Sequence, residues 1–417
     1  MAGSPAIGFS TREKLERARG ASAALAQLST SQKNALLLAI ADALEAHAAR
    51  ILRANEGDIR RSNLAGAMRD RLLLTPERIA QTAASVREVA GLADPTNEVL
   101  EEWTRPNGLL IRKIRVPLGV VGIVYESRPN VTVDAAVLCL KTGNAVVLRG
   151  GKEAASSNQA LAEIMAGVKG LPTGAIELLD SGSRDTVQEL IRARGLVDVV
   201  IPRGGPGLIT YVMENALVPV IETGAGNCHI LVDESADFEM ANRIILNAKT
   251  QRPSVCNAAE KLLVHSRIAS NFIPQIARKL AEAGVELRGD EATRLIAPDV
   301  LPATEKDWSE EYLRLCMAIH VVADLDEGIE HINRYSTKHS EAIITSDEHN
   351  ANKFLQQVDS AAVYWNASTR FTDGGEFGFG AEMGVSTQKL HCRGPFALKE
   401  LTSTKYQVIG TGHVRGI

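Results

Sequence analysis

The stretch GVVGIVYESRPNVTVDAAVLCLKTGNAVVLRGG, residues 119–151, decides the fold class of this 417-residue chain. It begins and ends with short apolar runs rich in β-branched residues, at 119–125 and 145–148, which are typical of buried parallel strands. Helix-like segments rich in alanine and leucine follow at 154–168 and 184–193. Further strand candidates on this side of the chain are 176–179, 197–201 and 218–221. This alternation predicts a parallel sheet with crossover helices, and hence a nucleotide-binding α/β domain.

A second alternating series begins after Gly226 and predicts a second α/β domain. Its strand candidates are 230–232, 262–265, 320–322, 342–345 and 361–365. The N-terminal segment is helical in pattern: a Ser/Thr cluster at 29–31 can cap one helix, and Thr75 followed by Pro76 is typical of the start of another.

Two segments far apart in sequence, 102–115 and 402–409, look like exposed strands that fit neither domain. They can pair as a small sheet, and an exposed sheet edge commonly recruits a neighbouring subunit. We therefore expect a small β element and a homo-oligomer.

The composition is that of an ordinary soluble globular protein, with 45% hydrophobic residues, 23% charged residues and a net charge of -4. The basic cluster at 112–115 alternates with isoleucines, as on a strand with one solvated face, so no nucleic-acid partner is indicated. No apolar run approaches the roughly 18 residues of a membrane span, and the N-terminus lacks a secretory layout. These features predict a cytoplasmic protein without a membrane partner.

The chain has five scattered cysteines and no CxxC pair, which argues against a disulfide framework or a zinc site. One of them, Cys256, lies in the loop QRPSVCN at 251–257, just before a predicted strand. A thiol with a pKa of about 8.5 becomes a good nucleophile where Arg252, backbone N–H groups or a helix N-terminus favour the thiolate. The alternative is a small buried residue. Cys139 and Cys316 fall inside apolar segments and are weaker candidates.

Two glycine-rich turns, RGGK at 149–152 and RGGPG at 203–207, follow predicted strands. At the carboxyl ends of parallel strands, glycine lets the backbone approach a phosphate, and the next helix N-terminus adds positive charge. The GxGxxG spacing is absent, so simple tight turns remain the alternative. The cations beside the first turn favour the 2′-phosphate of NADP. The candidate cofactor residues are Arg149, Gly150, Gly151, Lys152, Arg203, Gly204 and Gly205.

Two other regions carry candidate site residues. Glu222 ends an apolar run next to glycines, and could be a general base or a hydrogen-bonded structural carboxylate. A loop dense in glycine and polar residues occupies 371–391. Arg370, Lys389 and Arg393 could hold an anionic substrate there, or the loop could simply be solvated.

Four motifs together resemble the signatures of the γ-glutamyl phosphate reductases, a branch of the aldehyde dehydrogenase superfamily, and the resemblance extends over essentially the whole chain. They are YESRPNVTVD at 125–134, LRGG at 148–151, QRPSVCN at 251–257 and FTDGGEFG at 371–378. The resemblance implies an aldehyde dehydrogenase-like α/β fold with two parallel-sheet domains and a small β oligomerisation element. The implied cofactor domain covers 1–102 and 116–226, the catalytic domain 227–394, and the oligomerisation element 103–115 and 395–417. The family usually has alanine where this chain has Cys392.

The resemblance also implies roles for individual residues. Cys256 matches the nucleophile, and Ser127 falls near the oxyanion-hole asparagine of more distant aldehyde dehydrogenases. By pattern, Glu222 resembles their water-activating glutamate and Glu311 their cofactor-ribose carboxylate. The implied substrate-binding residues are Arg128, Asn130, Arg252, Arg370, Lys389 and His391.

The implied reaction is the NADPH-dependent reduction of L-glutamate 5-phosphate to L-glutamate 5-semialdehyde and phosphate through a cysteine thioester, a step of proline biosynthesis. The upstream glutamate 5-kinase is a candidate protein partner. Three alternatives remain open: a semialdehyde dehydrogenase that produces a free acid, a cysteine hydrolase or acyltransferase without nicotinamide, and a non-catalytic scaffold.

Overall fold

The computed structural model describes residues 9–415, with the backbone alone at Gly66 and Ala67. Its helices are α1 Thr11–Leu25, α2 Thr30–Ala46, α3 Ala48–Arg61, α4 Gly66–Leu72, α5 Pro76–Gly91, α6 Pro129–Lys141, α7 Ala155–Ala166, α8 Asp185–Arg192, α9 Pro206–Asn215, α10 Phe238–Thr250, α11 Ser266–Glu282, α12 Glu291–Ile296, α13 Glu305–Ser309, α14 Leu325–Tyr335 and α15 Glu348–Gln357. Short 3₁₀ helices occupy Lys152–Ala154 and Thr369–Phe371.

The strands follow the same chain order. They are β1 Val99–Thr104, β2 Leu110–Pro117, β3 Val120–Tyr125, β4 Ala145–Arg149, β5 Ile176–Leu178, β6 Val199–Arg203, β7 Cys228–Val232, β8 Ala259–His265, β9 Glu286–Gly289, β10 Leu301–Pro302, β11 Cys316–Val322, β12 Ser340–Ile344, β13 Ala362–Trp365, β14 Gly384–Ser386, β15 Gly394–Phe396 and β16 Thr402–Ile409.

The chain divides into two compact units. The first extends to Glu222 and also contains Phe379–Gly384 and the chain from Phe396 onward, while the second contains Thr223–Gly378 and Val385–Pro395. The first unit has a parallel sheet in the order β5-β4-β3-β6, and the second has a parallel sheet in the order β10-β9-β11-β8-β7-β12-β13. The prediction of two α/β series with parallel sheets is confirmed.

The N-terminal helices begin where the capping residues predict. Ser29 accepts the backbone N–H of Gln32 in a capping box ahead of α2, and Thr75 caps α5, whose first residue is Pro76. Proline suits that position because its missing N–H would have no partner there. Within residues 9–415, no helix combines the length and apolar character needed to cross a membrane.

Two strand predictions are wrong in detail. The segment 218–221 is no strand, and makes only an isolated bridge between Val200 and Val220. Pro219 accounts for the missing strand, because it has no N–H group to donate to the neighbouring strand. The segment 102–115 is a hairpin of β1 and β2 with a turn between them, in which the N–H of Gly108 donates to the carbonyl of Arg105.

The tail strand β16 pairs antiparallel with β2, so the predicted small sheet forms, in the order β1-β2-β16. It groups with the first unit. Large apolar side chains stay exposed on it, including Tyr406 and Val408, each with 59% of its surface accessible. Tyr406 packs edge-on against Trp103 at 6.3 Å between ring centroids.

A buried ion pair joins α10 to β8 in the second unit. Lys249 and Glu260 are both fully buried, with 3.1 Å between Nζ and Oε2. The Glu260 carboxylate also accepts the backbone N–H groups of Tyr312 and Leu313, each at 3.3 Å. Burial raises the pKa of Glu260 to about 7 and lowers the pKa of Lys249. The pair therefore links the two elements that flank residues 251–257.

Replacing Lys249 with methionine should destabilise the protein by about 3 kcal/mol, because Glu260 would lose its buried partner. The double variant Lys249→Met/Glu260→Leu should recover part of that loss, since it removes the carboxylate that the single variant leaves buried without its partner. Urea unfolding of the three proteins measures the difference. Equal destabilisation in the single and double variants would contradict this account of the pair.

Candidate active site

Cys256, the nucleophile predicted from the sequence, lies in residues 251–257, which connect the end of α10 to the start of β8 through irregular turns and are here called the nucleophile segment after that prediction. Its side chain is partly exposed, whereas the other four cysteines, Cys139, Cys228, Cys316 and Cys392, are buried. Burial raises the pKa of the Cys139 and Cys228 thiols, and raises that of Cys316 to about 11. Cys256 is thus the accessible thiol of the chain.

A glycine packs directly against the backbone of Cys256. A Cβ atom on Gly226 would lie 1.4 Å from the carbonyl oxygen of Cys256, so only glycine fits there. The N–H of Gly226 donates to Oε1 of Glu311 at 2.7 Å, and burial raises the pKa of that carboxyl. The Cys228 thiol donates to the same Cys256 carbonyl at 3.2 Å. These contacts fix the main chain at Cys256.

The 3₁₀ helix that follows β13 clamps both ends of the nucleophile segment. Nε of Arg370 donates to Oε1 of Gln251 at 2.9 Å, and Nη1 donates to Oδ1 of Asn257. Nδ2 of Asn257 donates to the carbonyl of Thr372 at 2.9 Å, and the Thr369 hydroxyl donates to the carbonyl of Asn257 at 2.7 Å. Sequence reasoning missed Asn257 and Thr369, because no local pattern links residues so far apart.

Arg370 also acts on Cys256 through its charge. It interacts electrostatically with Cys256, and burial lowers the pKa of its guanidinium. A cation close to a thiol favours the thiolate form. Arg252, the other predicted cation of the segment, is exposed and makes no ion pair with the described residues.

The predicted substrate residues near the C-terminus make polar contacts of their own or are exposed. Lys389 pairs with Asp359 at 2.7 Å, and Arg393 pairs with the same carboxylate at 2.9 Å. These hydrogen bonds hold the pKa of Asp359 down at about 2. His391 is an exposed residue of the second unit. The structure therefore pairs both Lys389 and Arg393 with Asp359.

Arg128 and Asn130 belong to the first unit, at the start of α6. Arg128 occupies the N-cap position, and Nδ2 of Asn130 donates to Oδ2 of Asp134 at 3.1 Å. Ser127 precedes them and is buried, and its hydroxyl donates to Oε2 of Glu153 at 3.2 Å. That bond uses the only proton of the hydroxyl. Glu222, at the end of the first unit, is half-buried.

The first glycine turn of the first unit lies between β4 and a 3₁₀ helix. Arg149 does not point its guanidinium outward: its nitrogens donate to the carbonyls of Gly150, Ser181 and Ser183, at 3.2, 3.3 and 2.8 Å. Lys152 is exposed, and its ammonium has no partner among residues 9–415. Lys152 is therefore the cation that this turn offers to a ligand.

Close packing explains the glycines of both turns. A Cβ atom on Gly150 would lie 2.1 Å from Nδ2 of Asn158, and one on Gly204 would lie 2.7 Å from Cδ of Glu126. Gly151 and Gly205 end the two turns, ahead of the 3₁₀ helix Lys152–Ala154 and of α9. Arg203, which precedes the second turn, donates through Nη1 to the carbonyl of Met383.

The structure combines two parallel-sheet α/β units with a loop cysteine whose backbone packs against Gly226. This combination defines a class of protein, and comparison with known proteins identifies that class. A family model described as the aldehyde dehydrogenase family matches residues 10–300. The fold also resembles an acetylating aldehyde dehydrogenase from Geobacillus thermoglucosidasius, with a TM-score of 0.67 and 18% identity over 98% of both chains. The chain belongs to the aldehyde dehydrogenase family and is an oxidoreductase.

Within that family the chain belongs with the γ-glutamyl phosphate reductases. It is 65% identical to the γ-glutamyl phosphate reductase of Koribacter versatilis, over 98% of this chain and all of that protein. It is 56% identical to the enzyme of Caldanaerobacter subterraneus, over 96% and 99% of the two chains. The crystal structure of the Thermotoga maritima γ-glutamyl phosphate reductase superposes with a TM-score of 0.96, at 50% identity over 98% and 100% of the chains.

Family membership implies a nicotinamide cofactor, and residues of the first unit fit such a group. The two turns keep glycine where a side chain would clash, and helical segments begin directly after them. Backbone N–H groups at such positions bind phosphate oxygens. The ammonium of Lys152, which has no partner in the described part of the chain, adds a positive charge.

Replacing Gly226 with alanine should displace the nucleophile segment, because the added Cβ overlaps the Cys256 carbonyl. We expect a loss of about 1–3 kcal/mol in the free energy of unfolding and of about a hundredfold in kcat. Thermal unfolding and steady-state rates measure both effects. Gly20→Ala is the matched control, since a Cβ there meets nothing within 4 Å. Unchanged activity in Gly226→Ala would contradict the packing argument.

Proposed function

We propose that this chain reduces L-glutamate 5-phosphate to L-glutamate 5-semialdehyde and phosphate with NADPH, through a thioester on Cys256, as a step of proline biosynthesis. The observation that carries the proposal is the partly exposed thiol of Cys256 in a segment clamped by Asn257 and Arg370. The high identity to several γ-glutamyl phosphate reductases supports the choice of substrate.

The chemistry explains why a thiol is needed. A carboxylate resists hydride, whereas an acyl phosphate carries a good leaving group. The Cys256 thiolate attacks the C5 carbonyl carbon, a C–S bond forms, and phosphate departs with the electron pair of the C–O bond. When bound, the nicotinamide supplies the hydride that reduces the thioester carbon. The C–S bond of the resulting thiohemiacetal then breaks, which returns the thiolate and releases the aldehyde.

The oxyanion that forms at C5 in each of these steps needs a hydrogen-bond donor. We assign this role to the backbone N–H of Cys256, a residue whose carbonyl group packs against Gly226. Ser127, the donor predicted from the sequence, would first have to give up its hydrogen bond to Glu153.

Glu222 has a smaller role in this reaction than a water-activating base would have. Reduction of an acyl phosphate needs no activated water, and activation would hydrolyse the thioester. A semialdehyde dehydrogenase that releases a free acid would need that base. In the oxidative direction the reductase needs phosphate, whereas a semialdehyde dehydrogenase that forms a free acid does not. A spectrophotometric assay of NADP reduction with L-glutamate 5-semialdehyde, with and without phosphate, separates the two functions.

The small sheet β1-β2-β16 is the proposed homo-oligomer contact. Its outer strand β16 exposes Tyr406 and Val408, and apolar side chains on a sheet edge are a common basis for subunit pairing. We propose a cytoplasmic enzyme, with the upstream glutamate 5-kinase as a candidate partner because it would supply the unstable acyl phosphate.

Cys256→Ser should fold and bind NADPH yet lose turnover by at least about a thousandfold, because a hydroxyl is far less available as an anion than a thiol. The melting temperature, NADPH affinity and phosphate-dependent activity of one preparation test this. Cys392→Ser should keep its turnover. An acid-quenched adduct mapped to any cysteine other than Cys256 would overturn the assignment.

Lys152→Met should weaken NADPH binding by about tenfold and leave NADH binding unchanged, because charge-assisted hydrogen bonds to the 2′-phosphate would be lost. Fluorescence titration with each cofactor measures the two affinities. Lys169→Met, which removes an exposed charge elsewhere in the first unit, is the control. An equal loss for both cofactors would show that Lys152 does not select NADP(H).

A further inference from the structure

A cavity of about 180 Å³ lies in the second unit beside the nucleophile segment. It is lined by Asn247, Gln251, Arg370, Phe371, Asp373 and Glu376. Gln251 is the first residue of that segment, and Arg370 bonds to both of its ends. The cavity is therefore bordered by the first residue of the segment that contains Cys256 and by the arginine that holds both ends of that segment.

The cavity combines one fixed cation with two carboxylates. Nη2 of Arg370 has no hydrogen-bond partner among the described residues, while Nε and Nη1 hold the guanidinium in place. Oδ1 of Asp373 accepts the N–H of Gly375 at 2.8 Å, which orients the carboxylate and leaves Oδ2 without a partner in the described chain. Glu376 is exposed at the edge of the cavity.

This charge pattern discriminates between the two ends of the substrate. A phosphate group would meet the Arg370 cation but would be repelled by Asp373 and Glu376. An α-amino acid group carries a carboxylate and an ammonium on one carbon, so it can satisfy a guanidinium and a carboxylate together. The side chains that line the cavity therefore match an α-amino acid group.

We propose that this cavity binds the α-amino acid end of the substrate, with Arg370 on the α-carboxylate and Asp373 on the α-ammonium, so that Asp373 determines specificity for an amino acid aldehyde. The inference rests on the proposed function, since it takes L-glutamate 5-semialdehyde as the product. Asp373 binds the end of the molecule away from the reacting carbon, so it leaves the chemistry at Cys256 unchanged.

The experiment compares kcat/KM for two aldehydes in the oxidative direction, with NADP and phosphate. L-Glutamate 5-semialdehyde carries the α-ammonium, and 5-oxopentanoate has the same chain and carboxylate but lacks it. The wild type should prefer the first by about tenfold or more, and Asp373→Asn should lower that ratio by about tenfold. Asparagine keeps an Oδ1 acceptor for Gly375, so the loop should hold. Activity on 5-oxopentanoate should stay within about twofold.

The matched control is Glu376→Gln, which removes a carboxylate at the cavity edge and should change the ratio less. A loss of activity on both aldehydes together in Asp373→Asn, with the ratio unchanged, would overturn the inference. So would a wild type without preference, or a ratio that depends on Glu376 alone. The same assay first tests the proposed function. If the wild type showed no phosphate-dependent activity on either aldehyde, the proposed function itself would be disproved.

Discussion

The contact between Gly226 and the carbonyl of Cys256 is the constraint on which the site depends. Two backbone segments approach so closely that no side chain fits between them, and Glu311 holds the glycine by its N–H. The backbone position of Cys256 is therefore constrained by a second segment of the chain and not by its own loop alone. A catalytic group needs this support, because small displacements of a reacting atom cost large factors in rate.

Polar contacts replace regular secondary structure in holding that segment. Residues 251–257 lie in turns between α10 and β8, and their ends are fixed by the Arg370 and Asn257 contacts and by the buried Lys249–Glu260 pair. The guanidinium of Arg370 therefore has one structural use and one proposed use in ligand binding. Two nitrogens bind the protein, which leaves a third nitrogen rigidly placed for a ligand.

The sequence predicts the parallel strands well because strands buried on both faces are continuous apolar runs. It misses β9 and β10, which are short and contain Arg288, Gly289 and Pro302, and it fails at 218–221, where Pro219 interrupts the pairing. A local sequence pattern could not predict these features, because each depends on which other strand lies beside the segment in the folded protein.

The site is predicted unevenly for a similar reason. Cys256 and the glycine turns are local patterns, and the structure places the thiol in an accessible loop. The clamp of Asn257, Thr369 and Arg370 joins residues more than a hundred positions apart, so no local signal predicts it. Arg149 has the right residue type beside the right turn, yet backbone carbonyls take its donors.

The pairing of β2 with β16 has a consequence for the order in which the chain folds. It joins Leu110 to Ile409, so most of the sequence lies between two adjacent strands. Contacts of such long separation close late, because the entropy of a large loop must be overcome first. While the chain is being synthesised, β2 has an unpaired edge until Thr402–Ile409 is made. A nascent chain must keep that edge from pairing with other chains, and the exposed charges of Arg112 and Glu102 on this hairpin oppose such mispairing.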